Sequence, residues 1–117
     1  MKGLNEVKKG GFSRNSFSDT VIRSSANTEE YVSYVISLIN SNLFSGADAV
    51  DYLLDEESLC LYHGQNEFLN ISQKYVDNFR QRGNFAFDKF ILDILSANGF
   101  DINKRNNYYN KLKRVCM

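Results

Sequence analysis

Between Asn27 and Leu43 the chain has little choice but an amphipathic helix. Asn27 with Glu30 three residues later has the form of a capping box, and Glu29 and Glu30 suit the positive end of a helix dipole. Val32, Val35, Ile36, Ile39 and Leu43 then recur at helical steps and form one apolar stripe. A stripe of this width must be buried, so whatever packs against it decides the fold. A length of 117 residues and a hydrophobic content of 43%, including nine Phe and seven Tyr, support one domain with a single core. Proline is absent, which is permissive for long helices.

The remaining segments are read as further helices. Ser45-Gly46-Ala47-Asp48 punctuates the chain and caps a second helix to about Glu57, with Ala47, Val50, Leu53 and Leu54 on one face. Residues 58–63 form a short apolar segment closed by Gly64, either a strand or the tail of that helix. A third helix is predicted from Asn66 to Gln81, a fourth from Phe85 to the stop at Asn98-Gly99, and a last one capped by Asp101 and holding Tyr108, Leu112 and Val115. Residues 1–27 are rich in Gly and Ser and lack helical periodicity. They read as a flexible basic arm or as a hairpin at a sheet edge. The expected fold is mainly α: a compact bundle of about five helices in residues 28–117, with at most a small β element from residues 12–23 and 58–63.

Charge is sorted by position although the total is zero. Residues 24–73 contain no Lys or Arg but eight acids: Glu29, Glu30, Asp48, Asp51, Asp55, Glu56, Glu57 and Glu67. The flanking segments, 1–23 and 74–117, are net positive. Segregation of this kind creates local fields that select and steer partners. On a helix, Asp48, Asp51 and Asp55 would share one face opposite the apolar one, an acidic ridge with Tyr52 beside it as an amphipathic anchor. At the other end of the chain, Lys104, Arg105, Lys111, Lys113 and Arg114 surround Tyr108 and Tyr109, a combination that can neutralise phosphates and stack on bases. The turn at Asn98-Gly99 before this basic helix invites a helix-turn-helix reading, which fits poorly at Leu95, Asn98 and Arg105. Residues 91–107 resemble one ankyrin-type helix end and turn. No copy recurs at the ~33-residue spacing that a stacked solenoid needs.

Catalytic patterns are weak. Cys60 and His63 have Cys-x-x-His spacing, but zinc takes three or four protein ligands, and Cys116 is the only other Cys or His in the chain. Asp51 and Asp55 read as a solvated face before they read as an acid–base pair. Gly10-Gly11 lacks the Lys-Ser/Thr of a phosphate loop. No catalytic residue, metal or cofactor is therefore expected. Two cysteines suit a reducing compartment, the N-terminal residues do not lead into an apolar stretch, and no apolar run approaches the ~20 residues needed to span a bilayer. A cytoplasmic location follows as an expectation.

Two functions are expected in order. The first is a non-enzymatic protein that binds another protein, one with a basic surface, through Asp48, Asp51, Tyr52, Asp55, Glu56 and Glu57 as an inhibitor, neutraliser or regulator. The second is a nucleic-acid-binding regulator using Lys104, Arg105, Lys111, Lys113 and Arg114, with Lys8, Lys9 and Arg14 of the arm along the backbone. Opposite fields on one molecule also permit a homodimer.

Overall fold

The computed structural model of the chain describes residues 18–44 and 49–115. These form α1 (Ser18–Ser25), α2 (Thr28–Leu43), β1 (Val50–Leu54), β2 (Ser58–His63), β3 (Asn66–Ser72), α3 (Gln73–Arg82), α4 (Ala86–Ala97) and α5 (Asn107–Lys113). The fold is α+β, and the mainly α expectation is wrong. Residues 50–72 are an antiparallel meander in the order β1-β2-β3 where a helix and part of another were expected. Of the proposed β element, residues 58–63 are a strand, whereas residues 18–23 belong to α1. The remainder of the expected N-terminal arm, with Lys8, Lys9 and Arg14, lies outside the described residues.

The helix over 28–43 forms as its cap predicts. Asn27 Oδ1 accepts from Glu30 N–H, and Glu30 Oε1 accepts from Asn27 N–H. Its stripe is fully buried, with Val32, Val35, Ile39 and Leu43 inaccessible to solvent. What covers it includes the sheet. Along β1, Val50, Tyr52 and Leu54 turn toward the core while Asp51 and Leu53 face out. Along β2, Leu59 and Leu61 are buried, and β3 adds Leu69 and Ile71. Phe68 is the extra residue of a bulge, because Leu61 pairs with Leu69 while Tyr62 pairs with Glu67. The bulge lets Phe68 and Leu69 both pack on the core. The β2–β3 turn is Gly64-Gln65, with φ +63° at Gly64 and no positive φ at Gln65, the pattern that a II′ hairpin demands of its first central residue.

Ser72 ends β3 and caps α3, its hydroxyl accepting from Lys74 N–H. The helix expected from Asn66 therefore starts only at Gln73. The stop after α4 is a Schellman motif: Phe100 N–H bonds Leu95 C=O, Gly99 N–H bonds Ser96 C=O, and Gly99 takes φ +78°. Asn106, not Asp101, caps α5 through Tyr109 N–H. Asn106 and Asn103 also tie residues 98–106 to the end of α2, through Asn42 C=O and Leu43 C=O.

α1 is held by a charge. Arg23, 4% exposed, donates through its two terminal nitrogens to both oxygens of Asp88 at 2.9 and 3.1 Å, and Asp88 is fully buried. The same guanidinium reaches Asp19 and the Asn84 carbonyl and lies 4.2 Å from the Phe85 ring centre. Tyr108 of α5 donates to Asp88 at 2.6 Å, and Tyr34 of α2 donates to Asp19. Burial, together with the negative charge of Asp88, pushes the Tyr108 hydroxyl well up from its ordinary value. The neighbouring Tyr31 hydroxyl is buried and meets no hydrogen-bond partner among the described residues. A buried donor without an acceptor carries its full desolvation penalty. The Tyr31→Phe variant is accordingly expected to gain about 1 kcal/mol of stability, read as an upward shift of the urea midpoint at unchanged slope. A loss instead would show that the hydroxyl has a partner.

Candidate protein-binding surface

The acidic segment is carried by the hairpin β1–β2 and its turn. Asp55 N–H donates to Ser58 C=O at 3.0 Å, and the Asp55 carboxylate accepts from the N–H groups of Glu57 and Ser58, both at 2.8 Å. That side chain builds the turn by closing it on its own backbone. The two N–H donors hold the Asp55 carboxyl below the usual carboxylate range. Glu56 and Glu57 occupy the tip and are exposed, and so is Asp51 on the outer face of β1. Across the sheet Asp51 pairs with Tyr62, and Tyr62 pairs with Glu67 of β3. Burial, then Cys60 and Glu67, raise the Tyr62 hydroxyl above its ordinary value.

Positive charge is disposed elsewhere. Among the described residues the ion pairs are Arg23 with Asp19, Arg23 with Asp88, and Lys89 with Asp93. Arg80 bonds the Arg23 carbonyl and stacks 4.3 Å from the Tyr31 ring centre, and Arg82 lies over Phe79. None of the described cations pairs with Asp51, Asp55, Glu56, Glu57 or Glu67.

The structure distributes the residues named from sequence unevenly. Asp51 and Asp55 point to the outer side of the hairpin by strand alternation, with Glu56 and Glu57 continuing at the tip. They make an acidic hairpin end, not a helical ridge. Tyr52 turns the other way and packs against the core, half-buried. Asp48 lies outside the described residues. Leu53, expected on one apolar face with Val50 and Leu54, is instead 60% exposed on the outer face next to Cys60, and Glu67 on the third strand was not named as a site residue. Alternation of Val50, Tyr52 and Leu54 was the signal that could have found Leu53.

Cys60 and His63 are parted by the same alternation. Cys60 faces outward, while His63 lies edge-on to Phe100 with ring centres 5.0 Å apart. No group of three or more His, Cys, Asp or Glu able to hold a metal occurs among the described residues. An open groove of about 290 Å³ lies beside His63, lined by Phe44, Asn98, Gly99, Phe100 and Asp101. Lys104, Arg105, Lys111, Lys113 and Arg114 are all exposed, with the Lys111 ammonium 5.0 Å from the Phe85 ring centre. The nine residues 98–106 separate α4 from α5. A helix-turn-helix joins its helices by ~3–4 residues, so this pair is not one.

Comparison with family models, with curated proteins and with solved structures finds no match to this chain. No described helix is long and apolar enough to cross a membrane.

Proposed function

We propose that this chain is a non-enzymatic cytoplasmic protein that binds another protein through its acidic hairpin end, as an inhibitor, neutraliser or regulator of a partner with a basic surface. One observation carries the reading: Asp51, Asp55, Glu56 and Glu57 are exposed along one hairpin, and no described Lys or Arg pairs with them. Carboxylates without a cation beside them attract a cationic surface from a distance and are screened by salt. Exposed Leu53 and half-buried Tyr62 supply apolar area within the same face. Changing Asp51, Glu56 and Glu57 together to Lys, which leaves the turn-building Asp55 in place, is expected to abolish capture of the partner from a host lysate at low salt, read by quantitative mass spectrometry against the parent protein. An identical captured set from both proteins would end this reading.

A second reading rests on the exposure of Lys104, Arg105, Lys111, Lys113 and Arg114. It makes the chain a nucleic-acid binder whose log affinity falls with log salt at a slope near −0.9 per phosphate contact. Titration with duplex and single-stranded DNA at two ionic strengths tests it, and no binding at low salt removes it.

A further inference from the structure

Strand β1 is an edge of the sheet, and its hydrogen-bonding pattern fixes which of its backbone groups are open. Asp55 faces Ser58 as a bonded pair. Bonded and non-bonded pairs alternate along an antiparallel ladder, so Leu53 with Cys60 and Asp51 with Tyr62 are also bonded pairs. The N–H and C=O groups of Val50, Tyr52 and Leu54 then point away from β2. An independent contact confirms the parity at Val50. The Asn40 amide of α2 accepts from Val50 N–H at 2.7 Å and donates to Val50 C=O at 3.0 Å, as a neighbouring strand would. Asn40 therefore closes the first position of the edge and leaves the second and third, Tyr52 and Leu54, without a backbone or side-chain partner among the described residues.

Edge strands are ordinarily blunted by bulges, charge or cover. The opposite edge, β3, carries the Phe68 bulge. β1 is regular throughout its pairing with β2. Its outward side chains run acid, leucine, acid: Asp51, Leu53, Asp55. A second copy is a poor occupant. Antiparallel pairing that joins Tyr52 to Leu54 of the other copy would put Asp51 opposite Asp55, like charge against like. An extended segment with Lys or Arg at those places would instead meet carboxylates.

We infer that β1 accepts a strand from the partner protein, an extended segment with basic residues alternating with apolar ones, which forms four backbone hydrogen bonds to Tyr52 and Leu54 and sets its cations beside Asp51 and Asp55. The inference rests on the acidic-hairpin reading above and adds the backbone chemistry of recognition. Strand addition of this type draws affinity from the main chain and specificity from alternate side chains. In this register the segment's apolar residues carry the bonded amides and face inward with Tyr52, while its basic residues face outward.

The probe is the acetylated, amidated heptapeptide of alternating lysine and valine, with a second form N-methylated at every valine. The methylated form keeps the charge and loses the donors directed at β1. With the full chain, the parent peptide is expected to bind at low salt and to slow hydrogen exchange of the Tyr52 and Leu54 amides at least tenfold by ¹⁵N NMR. Methylation is expected to weaken binding at least tenfold, and so is the double change D51K/D55K. Equal binding of both peptides, lost on charge reversal and with unprotected Tyr52 and Leu54 amides, would overturn strand addition while leaving the acidic surface standing. Absence of parent-peptide binding at low salt, or binding indifferent to D51K/D55K, would overturn both. Circular dichroism of the double variant checks that its fold is kept.

Discussion

Replacing Asp88 by alanine is expected to cost about 3–5 kcal/mol, the penalty for leaving one member of a buried ion pair behind. For a domain of this size that is a fall in Tm of roughly 10–20 °C. Asp88 is the point where three elements meet: it receives both terminal nitrogens of Arg23 from α1 and the hydroxyl of Tyr108 from α5. Its removal strands a guanidinium that is 4% exposed. Asp19 takes only one of its nitrogens and is itself partly in solvent. The double variant R23M/D88A is expected to recover part of the loss, because it leaves no uncompensated charge behind although the Tyr108 hydroxyl still lacks its acceptor. Urea denaturation monitored by circular dichroism measures both. A loss below about 1 kcal/mol for the single change would mean that Arg23 reaches water in solution.

Phe87→Ala is expected to cost about 3–5 kcal/mol through a different cause, the loss of transfer free energy together with the cavity left behind. The Phe87 ring is fully buried, with ring centres 5.8 Å from Tyr31 and 6.1 Å from Phe79. It thereby joins α4 to α2 and α3. Those two rings in turn carry arginines over their faces, Arg80 on Tyr31 and Arg82 on Phe79. Against a typical total of 5–15 kcal/mol, this single change populates the unfolded state measurably. The same denaturation series provides an internal contrast in Leu53→Ser, an exposed position where the expected change is within ~0.5 kcal/mol. Comparable losses at Phe87 and Leu53 would contradict the burial pattern described.

Much of the helical half was readable in advance because caps and stripes there agree. Asn27 with Glu30 set the start of α2, and Asn98-Gly99 set the end of α4. The sheet was not, for reasons visible in its residues. Val50, Leu53 and Leu54 recur at helical steps, yet Val50, Tyr52 and Leu54 alternate at strand steps, and five residues cannot separate the two periods. In β3 the bulge at Phe68 places two successive residues on the core side and erases the alternation that marks a strand. Leu69, Val76 and Phe79 then mimic one long helical face across what is a strand and a helix. α1 escaped because a buried arginine secures it, and arginine reads from sequence as solvent-facing. The acidic side chains were legible as a class. Their arrangement was not, since strand parity sends Tyr52 inward and Leu53 outward, the reverse of what an interface anchor beside an acidic helix would need.

The Arg23–Asp88 pair also differs from the sheet in how far along the chain its members lie. The two residues lie 65 positions apart in the chain, whereas residues 50–72 form an unbroken meander closed by short turns. Bringing distant positions together costs chain entropy that a hairpin avoids, so the arginine latch carries a larger closure cost than any contact within the meander. Anchor and edge are built from different residues, so each can be altered without touching the other's side chains.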